Sequence, residues 1–251
     1  VDNWLSRYFG AASTTYIQAV GRRWLISAVA RALNPGCQVD TMLILEGEQG
    51  IKKSTALAAL AGNPAWFVEG FSTIEGKDAL LQLQGKWVVE FAELEALTKT
   101  EATRAKAFIS RRIDQFRVPF GRLDEEFPRS CVFAGSTNEK EYLKDFTGGR
   151  RFWPVACGKT IDIEAIRADR NQLWAEAVEL YKAGNPWWFE TSELETLAME
   201  QQATRTTQDA WEPLIADYIE GKKRVTVQEL LRDVLRLAVG DWTQRETLSV
   251  V

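Results

Sequence analysis

The sequence predicts an α/β fold with a mainly parallel central sheet, and three observations support this prediction. Short apolar runs rich in β-forming residues occur at residues 40–47, 86–93 and 131–136, as is typical of strands buried on both faces. Stretches with helical spacing of apolar residues lie between these runs. Loops that contain glycine connect the two kinds of element, as in proteins that alternate strand, loop and helix.

The composition excludes several classes of catalytic and structural site. The chain of 251 residues contains no histidine, which rules out Ser-His and Cys-His catalysis and the common histidine-based metal sites. Its three cysteines lie far apart without a CxxC pair, which argues against a disulfide framework or a zinc site. The net charge of -4 means that binding of nucleic acid would depend on a local basic patch.

Neither the N-terminus nor the apolar runs predict export or membrane insertion. The first ten residues, VDNWLSRYFG, lack the basic and apolar regions of a secretory signal. No apolar run approaches the ~18 residues that a membrane helix needs. We therefore expect a cytoplasmic protein with no membrane partner. Because the sequence has no initiator methionine, we also expect a fragment of a longer protein.

Helical and extended segments alternate along the chain. Helical periodicity covers residues 3–33 and stops at the NPG turn. The elements predicted after it are a strand at 40–47, a helix at 54–62, a strand at 86–93, a helix at 98–112, a hairpin and strand over 114–138, and a helix at 161–184. The predicted domains are an N-terminal helical segment, 1–39, a sheet core, 40–160, and a small helical C-terminal region, 161–251.

Residues 47–55, GEQGIKKST, form a candidate phosphate-binding loop between a predicted strand and a predicted helix. Such a loop needs glycines that let backbone N–H groups face an anion, a lysine for the terminal phosphates and a hydroxyl for Mg²⁺. Lys53 and Ser54 stand where these two side chains are required. An ordinary strand–turn–helix with a lysine cap is the alternative. The predicted nucleotide-binding residues are Gly47, Glu48, Gln49, Gly50, Ile51, Lys52, Lys53, Ser54 and Thr55.

Lys52 departs from the strict pattern of this loop, which has glycine at that position. A lysine must adopt the backbone conformation that the loop imposes, and a left-handed conformation costs about 1–2 kcal/mol. We therefore expect a looser cradle and a lower affinity for ATP than a strict version would have. The sequence leaves open whether the ammonium group of Lys52 adds charge near the phosphates or points to solvent.

Acidic residues of the second predicted strand are candidates for a catalytic carboxylate. A phosphoryl-transfer site needs a carboxylate at a strand end, close to Mg²⁺ and to the attacking water. Glu93 ends the apolar run and is the first candidate for the catalytic acid and, with Ser54, for the Mg²⁺ site. Glu90 lies within the apolar run, where a charge needs a partner, and is predicted to assist. Glu95 is better explained as a solvated loop residue.

Asn138, Arg150 and Arg151 complete the candidate site. Asn138 follows the strand at 131–136, at the edge where α/β sheets bind ligands, and its amide is suited to orienting water or sensing a phosphate. It is also a common turn former. Arg150 and Arg151 lie between Gly-Gly and FWP, which suits an arginine finger supplied to a neighbouring subunit. An exposed basic turn also explains this pair.

A basic segment with interleaved aromatic residues precedes the last predicted strand. Residues 104–129 carry seven basic and four acidic side chains, with Phe108, Phe116 and Phe120 among them. Single-stranded nucleic acid binds to grooves in which cations follow the backbone and aromatic rings stack on bases. For any single residue, a solvated surface or a core phenylalanine is the simpler interpretation. The predicted DNA contacts are Arg111, Arg112, Arg117 and Arg122.

The order of these motifs resembles the superfamily 3 helicases of the AAA+ class. It is more similar still to the virulence-associated protein E family of phages, plasmids and genomic islands, which is related to poxvirus-type primase-helicases. The resemblance covers about residues 40–190, where NQLWAEAVELYKAG also fits. The stretches that carry it are GEQGIKKSTAL, GKWVVEFAELEAL, KAFISRRIDQFRVPFGR, PRSCVFAGSTN and FTGGRRFWPV.

The resemblance implies a P-loop NTPase fold and an ATP- and Mg²⁺-dependent helicase or translocase that replicates a mobile element. Such proteins assemble as rings, usually hexamers, with nucleotide between subunits and a β-hairpin that grips single-stranded DNA. The motor is often fused downstream of a primase or DNA-binding segment. The end of the present chain resembles the start of a winged-helix segment.

The resemblance also implies roles for individual residues. Carried over to this sequence, these are Lys53 and Ser54 for phosphate and magnesium, Glu93 helped by Glu90 as the catalytic acid, Asn138 as the sensor, Arg150 or Arg151 as the finger, and Arg122 facing DNA.

Two other classes of function are compatible with a phosphate loop. A nucleotide-binding switch or scaffold that hydrolyses little is favoured by Lys52 and by the net acidity, but not by the acid, asparagine and arginine motifs. A phosphotransferase acting on a small substrate would need neither the basic segment nor the arginine pair. Nucleotide turnover with and without single-stranded DNA separates the motor from both alternatives.

Overall fold

A computed structural model describes residues 1–91, 94, 98–119, 121–143, 149–206, 211–222 and 224–236 of the protein. The chain divides into two compact units, residues 1–206 and 207–251. The described part of the smaller unit contains α8 (Glu212–Ile219), α9 (Val227–Glu229) and a π-helical turn at Leu230–Val234.

The larger unit contains seven helices and seven strands within the described ranges. The helices are α1 (Trp4–Phe9), α2 (Thr15–Leu33), α3 (Lys53–Ala61), α4 (Gly76–Gln82), α5 (Lys99–Ile109), α6 (Ile163–Lys182) and α7 (Ser192–Ala203). The strands are β1 (Met42–Glu46), β2 (Phe67–Val68), β3 (Val88–Phe91), β4 (Ile113–Phe116), β5 (Glu125–Pro128), β6 (Val132–Thr137) and β7 (Phe152–Ala156). Among the described residues, no helix combines the length and the apolar character that crossing a bilayer requires.

Five of the strands form one parallel sheet in the order β2-β3-β6-β1-β7. In this sheet Glu46, the last residue of β1, pairs with Thr137 of β6 and Ala156 of β7. We call the edge formed by these strand ends the carboxyl edge, and the opposite edge, where Met42 pairs with Phe152, the amino edge. The segment that follows each of these five strands therefore begins at the carboxyl edge.

Both faces of the sheet are covered by helices. Along β1, Leu43 and Leu45 pack into a core with side chains of α1, α2, α3 and α6. Met42 and Ile44 point the other way, into a core with α4, α5 and the loops beside them. This alternation follows from the two-residue period of a strand, and burial on both sides explains why β1 reads as one continuous apolar run. The predicted α/β fold with a parallel central sheet is confirmed.

The structure differs from the prediction at the N-terminal helix, between residues 63 and 85, where β2 and α4 were not predicted, and at the segment FWP. The single helix predicted over residues 3–33 is two helices, because Gly10 ends α1 with a left-handed φ of 63° and the hydroxyl of Thr14 caps α2. The segment FWP is not among the predicted strands, but it forms the start of β7. Pro154 is tolerated there because β7 is an edge strand of the sheet, where a missing N–H breaks no ladder on the open side.

The predicted basic hairpin is formed by β4 and β5, and a buried ion pair holds its base. Arg129 Nε and Nη2 each lie 2.7 Å from an oxygen of Asp114, and both side chains are 1% exposed. Arg129 also donates to the Phe108 carbonyl. The segment therefore presents less positive charge than the sequence predicts: Arg129 and Lys106 are buried, and Arg104 pairs with Glu75.

Candidate functional site

The candidate phosphate loop follows β1 at the carboxyl edge and leads into α3. Gly47 and Gly50 have φ values of 154° and 86°, which glycine adopts easily. A Cβ atom at Gly47 would lie 2.7 Å from Cδ1 of Ile51, so a side chain there would require the Ile51 side chain to move. The backbone N–H of Gly47 donates to the carbonyl of Thr137, which ties the start of the loop to β6. The predicted strand, loop and helix are present in this order.

Lys53, the first residue of α3, connects the loop to the neighbouring strand end. Its Nζ donates to the carbonyls of Gly47 at 2.6 Å and Glu48 at 3.1 Å. It also donates to Oδ1 of Asn138, the residue directly after β6, at 2.9 Å. Lys53 is buried, whereas Asn138 is exposed. Two side chains that the sequence analysis selected independently therefore lie in direct contact.

Ser54 and Glu90 form a second contact at the same edge. The hydroxyl of Ser54 donates to Oε1 of Glu90 on β3 at 2.8 Å, and Glu90 is completely buried. Its Oε2 makes no hydrogen bond of standard geometry with any described residue. Burial raises the pKa of the Glu90 carboxyl above its ordinary value, and the hydroxyls of Ser54 and Ser136 partly oppose this shift.

Glu90 is the predicted acid whose position the structure gives. Glu93, the first candidate for the catalytic acid and for Mg²⁺, lies outside the described residues, as do Glu95 and Phe120. The assignment of Glu93 stays a prediction. Glu90 can contact Ser54 after the loop because only β6 separates β3 from β1 in the sheet.

Lys52 has the left-handed backbone that the strict loop pattern reserves for glycine. Its φ and ψ are 74° and 36°, and Arg236 is the only other non-glycine residue with a positive φ in the described parts of the chain. A lysine in this conformation costs about 1–2 kcal/mol. Its side chain is exposed, like those of Glu48, Gln49 and Thr55. The condition under which we expected a strained loop is therefore met.

A buried ionic cluster beside the loop was not predicted from the sequence. The carboxylate of Glu46 accepts hydrogen bonds from Nε and Nη2 of Arg205, at 2.5 and 2.8 Å, and from the hydroxyl of Tyr142 at 2.7 Å. Burial, and then the Glu46 carboxylate, raise the pKa of Tyr142 well above its ordinary value. The cluster fixes the residue that immediately precedes Gly47. The sequence signal that could have identified this cluster was Glu46, an acidic residue at the end of an apolar strand.

A cavity of about 400 Å³ opens between this cluster and the loop. The ends of β1, β6 and β7 and the end of α7 surround it. Its lining residues include Gly47, Glu48, Asn138, Lys140, Cys157 and Arg205. Both carbonyls that accept from Lys53 belong to residues of this wall, so the ammonium group lies beside the cavity.

The two predicted finger arginines lie at the amino edge, opposite Lys53. They belong to a 3-10 turn, Gly149–Arg151, that leads directly into β7. Arg151 Nε donates to the hydroxyl of Ser110 at 2.8 Å. Arg150 is exposed, and neither a hydrogen bond nor an ion pair joins it to the residues that the structure describes. A strand of five residues separates the two edges by about 16 Å, so Arg150 lies too far away to reach the loop of its own chain.

The four predicted DNA contacts are all exposed. Arg111 stacks over the ring of Phe108 at 5.5 Å, and Arg112 Nε donates to the Gly36 carbonyl at 2.7 Å. Arg117 and Arg122 lie between the hairpin strands and make no hydrogen bond or ion pair with a described residue. Beside them, Leu123 is 78% exposed. The hairpin therefore carries two exposed cations and a large exposed apolar side chain.

Comparison with protein families decides the identity of the larger unit. Residues 1–207 match the family described as virulence-associated protein E-like domain. The chain belongs to this family. No curated protein matches the sequence significantly.

The fold of this virulence-associated protein E-like chain is similar to solved structures of the NrS-1 C-terminal region. Two A-form apo structures of the NrS-1 C-terminal region superpose with TM-scores of 0.51 and 0.52. The aligned sequences are 13% and 15% identical. The alignments cover 98% and 99% of the present chain, and 69% and 68% of the NrS-1 chains. At this level of identity the similarity concerns the fold alone.

We predict that Lys52→Gly stabilises the protein by about 1 kcal/mol, since glycine removes the left-handed strain and gives back part of the gain as chain entropy. The free energy of unfolding, measured in urea, tests this. Lys52→Ala is the matched control, because alanine keeps the Cβ atom and should show no gain. We expect ATP to bind Lys52→Gly as tightly as the wild type or more tightly. A clear loss of ATP binding in both variants would mean that the Lys52 ammonium contacts phosphate.

Proposed function

We propose that this chain is an ATP- and Mg²⁺-dependent DNA motor, a P-loop NTPase of the superfamily 3 helicase type that acts in the replication of a mobile genetic element. The observation that carries the proposal is the convergence of Lys53, Ser54, Glu90 and Asn138 at the carboxyl edge. These residues come from three neighbouring strands or the segments that follow them. Ligands of open α/β sheets bind at this edge.

The side chains present fit a magnesium nucleotide. Lys53 supplies the cation for the terminal phosphates, and the start of α3 adds backbone N–H groups and the positive end of a helix dipole. The Ser54 hydroxyl and the Glu90 carboxylate form an oxygen-only donor pair, which suits Mg²⁺ shared with phosphate oxygens. ATP, when bound, would supply the phosphoryl group and Mg²⁺ the charge that neutralises it.

The buried carboxylate of Glu90 supports this assignment further. Its Oε2 is buried without a standard hydrogen bond, and a buried carboxylate without a full set of partners is costly unless a cation or a proton accompanies it. The raised pKa of Glu90 reflects this cost. Binding of a cation beside Ser54 would stabilise the ionised form, whereas Asn138 and Lys53 would hold the phosphate end of the nucleotide.

Arg150 supports action between subunits rather than within one chain. A group at the amino edge of one copy reaches a nucleotide at the carboxyl edge only in another copy, which requires a head-to-tail interface. Interfaces of this kind close into rings when the rotation between copies permits. We therefore propose a homo-oligomeric ring, with Arg150 rather than the hydrogen-bonded Arg151 as the finger.

Single-stranded DNA is the proposed polymer partner. The exposed Arg117 and Arg122 lie in the connection between β4 and β5, which suits contacts with phosphates. The buried Asp114–Arg129 pair makes the hairpin base rigid. Arg129 lies three residues before β6, and Asn138 directly follows β6. This one strand of the sheet therefore connects the hairpin to the candidate nucleotide site.

A nucleotide-binding switch with little hydrolysis is the second candidate. The left-handed backbone of Lys52 favours this candidate, because it adds conformational strain to the loop that a glycine at position 52 would avoid. A motor should release phosphate continuously and faster with single-stranded DNA, whereas a switch should bind ATP with negligible turnover in both conditions.

We predict that Lys53→Ala abolishes ATP hydrolysis, because the loop loses the cation for the terminal phosphates. Phosphate release by purified protein measures this. Lys182→Ala, which removes an exposed lysine from α6, is the control and should keep the wild-type rate. Because Lys53 is buried, Lys53→Met serves as a second variant that keeps the length of the side chain. An unchanged rate in folded Lys53→Met protein would exclude the proposed site.

We predict that Arg150→Ala binds ATP normally but loses hydrolysis by about a thousandfold, as expected for a finger. Mixing Arg150→Ala with Lys53→Ala subunits should restore part of the rate, since an intact loop then meets an intact Arg150. Arg167→Ala, an exposed arginine of α6, is the control. Full activity of Arg150→Ala, or no recovery on mixing despite exchange of subunits, would contradict action between subunits.

A further inference from the structure

Two cavities away from the carboxyl edge contain an exposed tryptophan, and their charges differ. The cavity beside Trp188 has a volume of about 410 Å³, and its charged lining residues are two acids, Asp40 and Glu195, and one base, Arg150. The cavity beside Trp66 has a volume of about 380 Å³ and contains one charged residue, Lys86. Its remaining lining residues are Ala32, Gly85, Trp87 and Ser130. The second cavity is therefore aromatic, largely apolar and positive.

The backbone around Trp66 is held on both sides, although the residue is 46% exposed. The Asn63 side chain accepts from the N–H of Ala65 and caps the turn Pro64–Trp66. The Trp66 carbonyl accepts from the N–H of Trp87 at 2.8 Å. The two indoles meet nearly at right angles, with ring centres 6.2 Å apart. A fixed, open aromatic ring binds a planar ligand at a low cost in conformational entropy.

Cationic side chains connect this cavity with the base of the hairpin. Lys86 Nζ donates to the Ala65 carbonyl at 2.9 Å, and an ammonium group has three N–H donors, so others are available. The hydroxyl of Ser130 donates to the Lys86 carbonyl at 3.4 Å. The residue before it, Arg129, pairs through its N–H with the carbonyl of the exposed Arg112 at 2.9 Å. Backbone hydrogen bonds thus link the wall of the cavity to the segment that carries Arg112.

We propose that the Trp66 cavity binds an unstacked base of single-stranded DNA, with the base against the Trp66 indole and the adjoining phosphates near Lys86 and Arg112. The inference rests on the proposed function and adds a subsite to it, at the amino edge and outside the hairpin tip. Every nucleobase has a π-face, so this contact does not select a sequence.

The charge of the surface favours nucleic acid over a protein partner. An aromatic slot with flanking cations is the arrangement that binds single strands. The Trp188 cavity has a similar size and a similarly exposed indole, but its two carboxylates outnumber its one cation, Arg150, which makes it less favourable for phosphates. The two cavities therefore provide a matched comparison within one molecule.

The test is the affinity of a fluorescently labelled single-stranded oligonucleotide, measured by anisotropy at fixed salt without nucleotide. Trp66→Ala should bind about tenfold more weakly than the wild type. Trp188→Ala, which removes a tryptophan that is 51% exposed, should bind like the wild type. Lys86→Gln should flatten the slope of log affinity against log salt by about 0.7.

Trp66→Leu and Trp66→Phe separate stacking from apolar contact and guard against a folding defect. Leucine keeps apolar surface but has no π-face, so its affinity should fall as in Trp66→Ala, whereas phenylalanine should keep most of the affinity. Equal affinities of the wild type, Trp66→Ala and Trp66→Leu would overturn the proposal. So would a change in solution mass of Trp66→Ala with unchanged DNA binding, because the surface would then contact another copy of the chain.

The outcome also separates this inference from the proposed function. If the wild type hydrolyses ATP and binds the oligonucleotide, and Arg122→Ala weakens that binding while Trp66→Ala does not, only the Trp66 subsite is wrong. If the wild type does not bind single-stranded DNA, the subsite and the DNA part of the proposed function are both wrong, and ATP turnover decides the rest.

Discussion

The ammonium group of Lys53 is the contact on which the candidate site depends. It joins the Gly47 and Glu48 carbonyls to the Asn138 amide, so that the loop after β1 and the turn after β6 form one surface. This contact is possible because β1 and β6 are neighbours in a parallel sheet, although 85 positions separate the two residues in sequence. Gly47 and Gly50 allow the backbone of the loop to fold closely around the Lys53 side chain. An incoming phosphate would compete with these carbonyls for the same cation.

The parallel sheet also separates the functional groups of the chain into two sets. Lys53, Ser54, Glu90 and Asn138 gather at the carboxyl edge, whereas Arg150 lies at the amino edge, as does the segment that leads into β6. In the proposed ring, the amino edge of one copy would meet the carboxyl edge of the next and complete its site. The α/β fold and the membership of the virulence-associated protein E-like family are established by the structure and the comparison. The motor activity is the proposal that unites the two edges.

Much of the carboxyl edge was predictable from sequence because its signals are local. The loop GEQGIKKST stands between a strand and a helix, and Asn138 directly follows an apolar run, so each could be recognised within about ten residues. The ion pair between Glu46 and Arg205 spans 159 positions and has no local signature. β7 was missed because Pro154 argues against a strand until the strand is known to lie at an edge. The exposure of Trp66 depends on packing against Trp87, which periodicity does not reveal. Glu93 lies outside the described residues, so its predicted role stays a prediction. The described part of the smaller unit likewise does not test the expected resemblance of the chain's end to a winged-helix segment.

The most direct measurement of the central claim is calorimetric binding of ATP to the purified wild-type chain, with Mg²⁺ present and with Mg²⁺ removed by a chelator. If the loop cradles phosphates and Ser54 with Glu90 completes a cation site, ATP should bind saturably at one site per chain and more tightly with Mg²⁺. Absence of binding in both conditions, from protein shown to be folded, would contradict the account. Binding that is equally tight with and without Mg²⁺ would contradict the role of Ser54 and Glu90 alone.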